Sequence, residues 1–210
     1  MKIRLKLFSI WIMILFISVS LSAQTNNWEL NYLHKLEDKR TTGKTSFYNT
    51  ISASMYVFSI ATPAAYLVTG LAKNDVNLKK TALYLFESAA IAQAISFSTK
   101  SITNRDRPGI KDPTLKPVNI AKNASFPSGH TAGAFALATS LTIVHPKWYV
   151  AVPAYTWAGL VGYSRLYLGV HYPTDVFAGA VLGAGAAWGT YKLNKWMHKS
   201  KKGKLKDPLS

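Results

Sequence analysis

Three short stretches of this chain collect side chains that handle negatively charged groups. "KSITNRDRP", residues 100–108, gathers Lys100, Arg105 and Arg107 ahead of Pro108, which stops a helix from continuing. "FPSGHTAGAFALA", residues 126–138, sets Ser128 and Gly129 before His130 and an apolar run. A serine N-cap, a glycine that lets backbone come close, and the first unpaired N–H groups of a helix form an anion site. A plain helix start explains the serine and the glycine but not His130. "SRLYLGVHYPTD", residues 164–175, adds Arg165, His171 and Asp175. Pro173 suits the first helical position, which puts Asp175 in the first turn. From there its carboxylate can reach back to His171, accept a hydrogen bond from one ring nitrogen, and leave the other free to attack.

Two histidines and a carboxylate can also ligate a metal. Against that, Lys100, Arg107 and Arg165 would repel a divalent cation and welcome an oxyanion, so neither a metal nor another cofactor is expected. Phosphoryl transfer needs mainly positioning and charge neutralisation, which arginine forks and backbone N–H groups supply on their own.

These stretches must be held by helices. The chain has 210 residues, enough for one domain with a sizeable core, and no cysteine, which removes disulfides and thiolate metal sites. Its net charge of +16 lies largely at the two ends, in Lys2, Arg4 and Lys6 and in the tail from Lys192 to Lys206, while the middle is mostly apolar. A nucleic-acid face would interrupt that middle, so nucleic acid is not an expected partner; anionic lipid and phosphorylated substrates are.

"MKIRLKLFSIWIMILFISVSLSAQ" has a basic start, an apolar run and small residues up to Ala23. Residues 1–23 therefore read as a cleaved secretory signal or as a first membrane helix. Residues 24–50 are polar, with Trp28, Leu30, Tyr32, Leu33 and Leu36 on one face of a short helix, interfacial or packed on the domain. Ile51 to Ala72 carries no charge and is long enough to span, with Pro63 as an expected kink. Thr81 to Ser98 is a second candidate span, and 131–144, 148–163 and 176–191 are shorter apolar stretches rich in alanine and glycine. Gly179 and Gly183 have the G-x-x-x-G spacing that lets two backbones approach.

No strand alternation is sustained, so the fold class is all-α: a polytopic membrane helical bundle of roughly five or six helices. Residues 51–191 form its core, and 192–210 a basic cytoplasmic tail. An alanine-rich soluble bundle would look similar. The positive-inside rule puts "KNDVNLKK", "HPK" and the tail on the cytoplasmic side and the loops 100–127 and 164–173 outside. Lys100, Arg105, Arg107, Lys111, Lys116 and Lys122 then break that rule and need another reason.

K-x6-R-P at Lys100, Arg107 and Pro108, P-S-G-H at Pro127 to His130, and S-R-x5-H-x3-D at Ser164, Arg165, His171 and Asp175 resemble three signature motifs. They are those of the type 2 phosphatidic acid phosphatase superfamily, which includes bacterial acid phosphatases and vanadium haloperoxidases. The resemblance runs over residues 51–191 and implies a phosphatase/haloperoxidase-like helical core. It implies His171 as the nucleophile forming a phosphohistidine, Asp175 as its orienting group, and His130 as the proton donor to the leaving oxygen. Lys100, Arg107, Ser128, Gly129 and Arg165 would hold the phosphate. The implied reaction is metal-independent removal of a phosphate from a membrane lipid: phosphatidate, phosphatidylglycerophosphate, a polyprenyl diphosphate or lipid A. The expected place is the bacterial inner membrane, multi-pass, with the site facing the periplasm. A secreted, soluble, non-specific acid phosphatase is the alternative within the same family.

Overall fold

The computed structural model describes residues 27–119 and 123–199. The leader read over 1–23, Lys122 and the end of the basic tail lie outside the described residues.

Every regular element described is a helix: α1 (Asn27–Glu37), α2 (Thr42–Ala72), α3 (Val76–Thr103), the single turn α4 (Pro108–Lys111), α5 (Gly129–Val144), α6 (Trp148–Tyr167) and α7 (Pro173–Lys199). Local chemistry sets their limits. Thr41 caps α2 by accepting from the Lys44 N–H, and Asp75 caps α3 by accepting from Asn77 and Leu78. α3 ends at Asn104, whose left-handed conformation closes the last turn onto the Lys100 carbonyl.

Helix α5 is the centre, in contact with α2, α3, α6 and α7. Its buried residues are small, with Ala132, Ala134, Ala136 and Ala138 wholly enclosed, so neighbours come close. Helix α7 comes closest. A Cβ on Gly183 would lie 2.1 Å from the Ala132 carbonyl oxygen, and one on Gly179 would lie 2.5 Å from that of Ser128. The G-x-x-x-G spacing thus does what it predicts, and the contact brings the start of α5 against the start of α7: the Ser128 N–H donates to the Asp175 carbonyl at 3.0 Å.

The outward faces are apolar. Tyr56, Ile60 and Val68 on α2, Leu83, Phe86 and Phe97 on α3, Trp148 on α6, and Phe177 and Trp196 on α7 are all exposed. Among the described residues one helix, α2, is long and apolar enough to cross a membrane, and only 17% of its most apolar window is buried. Helix α5 is apolar but shorter.

Three features differ from the sequence reading, two of them helix boundaries. α2 starts at Thr42, because Thr41 caps it, and not at Ile51. α7 continues beyond Tyr191, where Lys192 and Lys195 lie over the rings of Trp188 and Tyr191 one turn back, at 5.4 and 5.7 Å. The single apolar face expected for α1 is split: Leu33 and Leu36 pack against Leu115, Leu166 and Tyr172, while Trp28 and Tyr32 are exposed. Beside those leucines α1 buries a carboxylate, Glu29.

Candidate active site

The site lies at one end of the bundle, where α3 ends and α5 and α7 begin. Lys100, in the last turn of α3, donates from Nζ to the carbonyls of Ala124 at 2.6 Å and Ser125 at 3.2 Å, which ties the loop before α5 to α3. Arg107 donates from Nε to the Asn123 carbonyl at 2.8 Å and from Nη2 to Asn123 Oδ1 at 2.6 Å. Its Nη1 donates to the Val170 carbonyl at 2.7 Å and stands 3.4 Å from Nε2 of His171. Arg165, in the last turn of α6, donates from Nη1 to the Ser52 hydroxyl of α2, and its buried Nε has no partner.

Ser128 caps α5, accepting from the Thr131 N–H and, at 2.9 Å, from the Thr131 hydroxyl. Gly129 follows, its carbonyl held by Gln93 Nε2 at 3.0 Å. A Cβ there would lie 3.4 Å from both Gln93 Oε1 and Ser96 Oγ. His130 meets the ring of Tyr56 edge to face, with centroids 4.9 Å apart.

His171 and Asp175 are buried. Nδ1 of His171 lies 3.3 Å from Asp175 Oδ2, which also accepts the Tyr172 N–H at 3.0 Å. A carboxylate on Nδ1 selects the tautomer with its proton there, so the lone pair is on Nε2, the nitrogen beside Arg107. Burial pulls the imidazole well below its usual 6.5, and the charges of Arg107, Arg165 and Lys100 push it the same way, so His171 is neutral at ordinary pH.

The other oxygen of Asp175 is held from behind. Arg105 Nη1 donates to Oδ1 at 2.5 Å and to Thr174 Oγ1 at 2.8 Å, while its Nη2 donates to Glu29 Oε2 at 2.7 Å. The guanidinium lies over the Tyr172 ring, 3.8 Å from its centroid. Glu29 accepts on Oε1 from the Thr174 N–H at 3.0 Å and hydroxyl at 2.8 Å.

Lys100, Arg107, Ser128, Gly129, His130, Arg165, His171 and Asp175 are thus brought to one end of the fold. Arg105, which the sequence only groups with the cations of this loop, pairs with two buried carboxylates. Of the outer-loop cations, Lys111 and Lys116 are exposed. Sequence reading missed Glu29, Ser52 and Tyr56, whose partners lie far along the chain, and Asn123, whose partner Arg107 stands 16 residues before it in the same loop. Among the described residues no three His, Asp or Glu side chains group as metal ligands.

Chemically the arrangement offers a neutral nucleophilic nitrogen, cations around it, a helix N-terminus and a second histidine. That set fits a tetrahedral oxyanion.

Comparison with known proteins agrees. Residues 81–199 match the family model described as PAP2 superfamily. The lipid A 4'-phosphatase of Bacteroides thetaiotaomicron is 43% identical over 63 residues, 30% of this chain and 28% of that protein. The undecaprenyl-diphosphatase of Sulfolobus acidocaldarius is 34% identical over 118 residues, 56% of this chain and 57% of that protein. In both, the match spans less than two thirds of the relative's length. In fold, the crystal structure of a transmembrane PAP2 type phosphatidylglycerolphosphate phosphatase from Bacillus subtilis superposes with a TM-score of 0.73. It is 19% identical, and the superposition covers 90% of this chain and 96% of that one.

Proposed function

The chain belongs to the PAP2 superfamily, and from that premise and the site's geometry we propose that it is a metal-independent phosphatase acting on a membrane lipid phosphate. One observation carries the reading. The buried His171 presents Nε2 to Arg107, and the charge of Arg165, whose buried Nε has no partner, also acts on it, so a nucleophile and an unfilled oxyanion donor lie close together.

In this reading Nε2 of His171 forms a bond to phosphorus as the bond from phosphorus to the lipid oxygen breaks. His130, protonated once the negative charge of the bound phosphate offsets burial and the cations around it, gives that proton to the leaving oxygen. Lys100, Arg107, Arg165, the Ser128 hydroxyl and the N–H groups around Gly129 hold the phosphate oxygens. Water then attacks the phosphohistidine, His130 takes the water's proton, and His171 leaves as the neutral imidazole. Asp175 holds Nδ1–H throughout. The neutralising charges are all side chains, so the rate needs no divalent ion.

Two features favour a lipid. The relatives include proteins named for lipid A and undecaprenyl diphosphate. A groove of about 610 Å³ runs between α2 and α3, lined by Tyr56, Ile60, Leu67, Leu83, Phe86 and Gln93 among others. It reaches the site through Tyr56, which touches His130, and Gln93, which holds Gly129. Hydrocarbon chains lying in it would leave their phosphate at His171. The exposed apolar faces of α2, α3, α6 and α7 would sit in the bilayer, with the site on the periplasmic side of a bacterial inner membrane. Lys73, Lys147 and the basic tail would face the cytoplasm.

The test is phosphate release by the purified full chain in mixed micelles, from phosphatidate, phosphatidylglycerophosphate, undecaprenyl diphosphate and lipid A. At least one should be hydrolysed with higher kcat/KM than p-nitrophenyl phosphate, EDTA should leave the rate unchanged, and acid-labile label should be trapped on the wild type but not on His171→Ala. A divalent-ion requirement, or label that persists in His171→Ala, defeats the mechanism. A soluble ester cleaved as well as every lipid returns the reading to a non-specific acid phosphatase.

A further inference from the structure

We propose that Glu29, on helix α1 and outside the matched residues 81–199, is a positioning residue of the reaction: through Arg105 it fixes Asp175 and balances the charge that develops on His171. The inference rests on the phosphatase reading above.

Glu29 is 1% exposed, in a slot whose neighbours on α1 are leucines. A carboxylate there is costly unless every lone pair is answered. Both its oxygens are engaged, Oε2 by Arg105 and Oε1 by the amide and hydroxyl of Thr174. Arg105, stacked on Tyr172, passes the constraint to Oδ1 of Asp175, which leaves Oδ2 for His171. Each group in the series Glu29, Arg105, Asp175, His171 is placed by the one before it.

Charge gives the series a second role. Two carboxylates and one guanidinium leave the buried cluster with a net single negative charge. When Nε2 of His171 bonds to phosphorus while Nδ1 keeps its proton, the imidazole becomes cationic, and that charge faces Asp175. On the Asp175 side of the ring the imidazolium then meets one net negative charge with Glu29 ionised and none without it, where Arg105 and Asp175 cancel. The stabilisation is greater in the transition state than in the substrate complex, so it acts on kcat.

A tether for α1 is the plainer alternative, but α1 has other holds. Leu33 and Leu36 are packed in the apolar cluster, His34 Nε2 lies 2.9 Å from Asp112 Oδ2, and the Lys116 N–H donates to Glu37 Oε1 at 3.0 Å. A buried carboxylate adds little to those as a fastening.

Glu29→Gln in the full chain keeps the shape and one acceptor oxygen, and removes the charge and the second acceptor. With a lipid phosphate as substrate, kcat should fall about 10- to 100-fold, the range seen when groups behind a catalytic ligand are removed. KM and inhibition by inorganic phosphate should stay within about twofold, while vanadate, which copies the five-coordinate transition state, should weaken in step with kcat. Glu29→Asp should recover part of the loss. An unchanged kcat in a folded Glu29→Gln protein, or phosphate and vanadate affinities that fall together, overturns the inference. Should Glu29→Gln show no melting transition, Arg105→Lys carries the test and must show the same split; its absence there is equally fatal. A wild-type protein that releases phosphate from no substrate fails earlier and removes the phosphatase reading with it.

Discussion

Nδ1 of His171 lies 3.3 Å from Oδ2 of Asp175, one helical turn further along the chain, and both residues are buried. The carboxylate gives the imidazole a fixed tautomer and a counter-charge as it becomes cationic. Asp175→Asn keeps the size and loses both. The expected loss in kcat is about 10⁴-fold, the scale seen when an orienting aspartate behind a catalytic histidine becomes asparagine. Phosphate release measured beside the melting temperature checks this; a loss below tenfold in a folded variant removes Asp175 from the mechanism.

His130 stands at the first turn of α5 beside Tyr56, where a lipid leaving group would pass. His130→Ala should lower kcat about 100- to 10,000-fold on lipid phosphates, the range for a lost general acid. On p-nitrophenyl phosphate, whose leaving oxygen needs little protonation, the loss should be much smaller. Equal losses on both substrates would assign His130 to binding.

The approach of α5 and α7 gives a stability test with its own control. An added Cβ at Gly183 would lie 2.1 Å from a backbone oxygen, whereas one at Gly185 meets nothing within 4 Å. Gly183→Ala must push the two helices apart, at roughly 1–3 kcal/mol or more. It should also weaken activity, because the same contact joins Ser128 to Asp175. Gly185→Ala, at an open position in a helix, should be neutral or stabilise by about 0.5–1 kcal/mol. Thermal unfolding of the two variants decides it; equal effects would mean that the interface is looser than the geometry states.

What could be read from the sequence follows the reach of local chemistry. Ser128, Pro173 and Asp175 announce helix starts through their own backbone needs, and Arg165, His171 and Asp175 share one twelve-residue stretch, so their meeting needed no tertiary knowledge. Gly179 and Gly183 predicted a close helix contact because spacing alone puts them on one face. Glu29 gave no such signal: its partner Arg105 is 76 residues away, and within α1 it looks like a solvent-facing glutamate. Arg165 and Ser52 are 113 residues apart and equally silent. The role of Arg105 is silent in the sequence for the same reason, since two arginines flanking one aspartate look alike until the fold supplies an acid for one and an imidazole for the other.

The depressed pKa of His171 carries a signature in stability. Below pH 6.5 the unfolded chain protonates this histidine while the native site, burying it among cations, does not. The unfolded state then binds more protons, so native stability falls as pH drops through 6.5, by at most about 1.4 kcal/mol per pH unit for this one group. His171→Gln removes that contribution. In phosphate-free buffer the melting temperature of the wild type should therefore fall more steeply from pH 7 to pH 5 than that of the variant. Parallel curves would mean that the imidazole is protonated in the native site, and would remove it as a neutral nucleophile over that range.

The groove between α2 and α3 allows the lipid to be tested apart from the chemistry. Ala90 lines it one turn before Gln93, on the way from the exposed apolar faces to Gly129. A tryptophan there would occupy the space of hydrocarbon without touching the phosphate-binding groups. Ala90→Trp should therefore lower kcat/KM for a long-chain phosphatidate, relative to p-nitrophenyl phosphate, by about tenfold, the equivalent of roughly two methylenes no longer buried. Short-chain phosphatidates should fall in between, because fewer of their methylenes reach that depth. If the variant treats long-chain, short-chain and soluble substrates alike, the chains do not lie between α2 and α3, and the lipid must approach His130 from another side of the bundle.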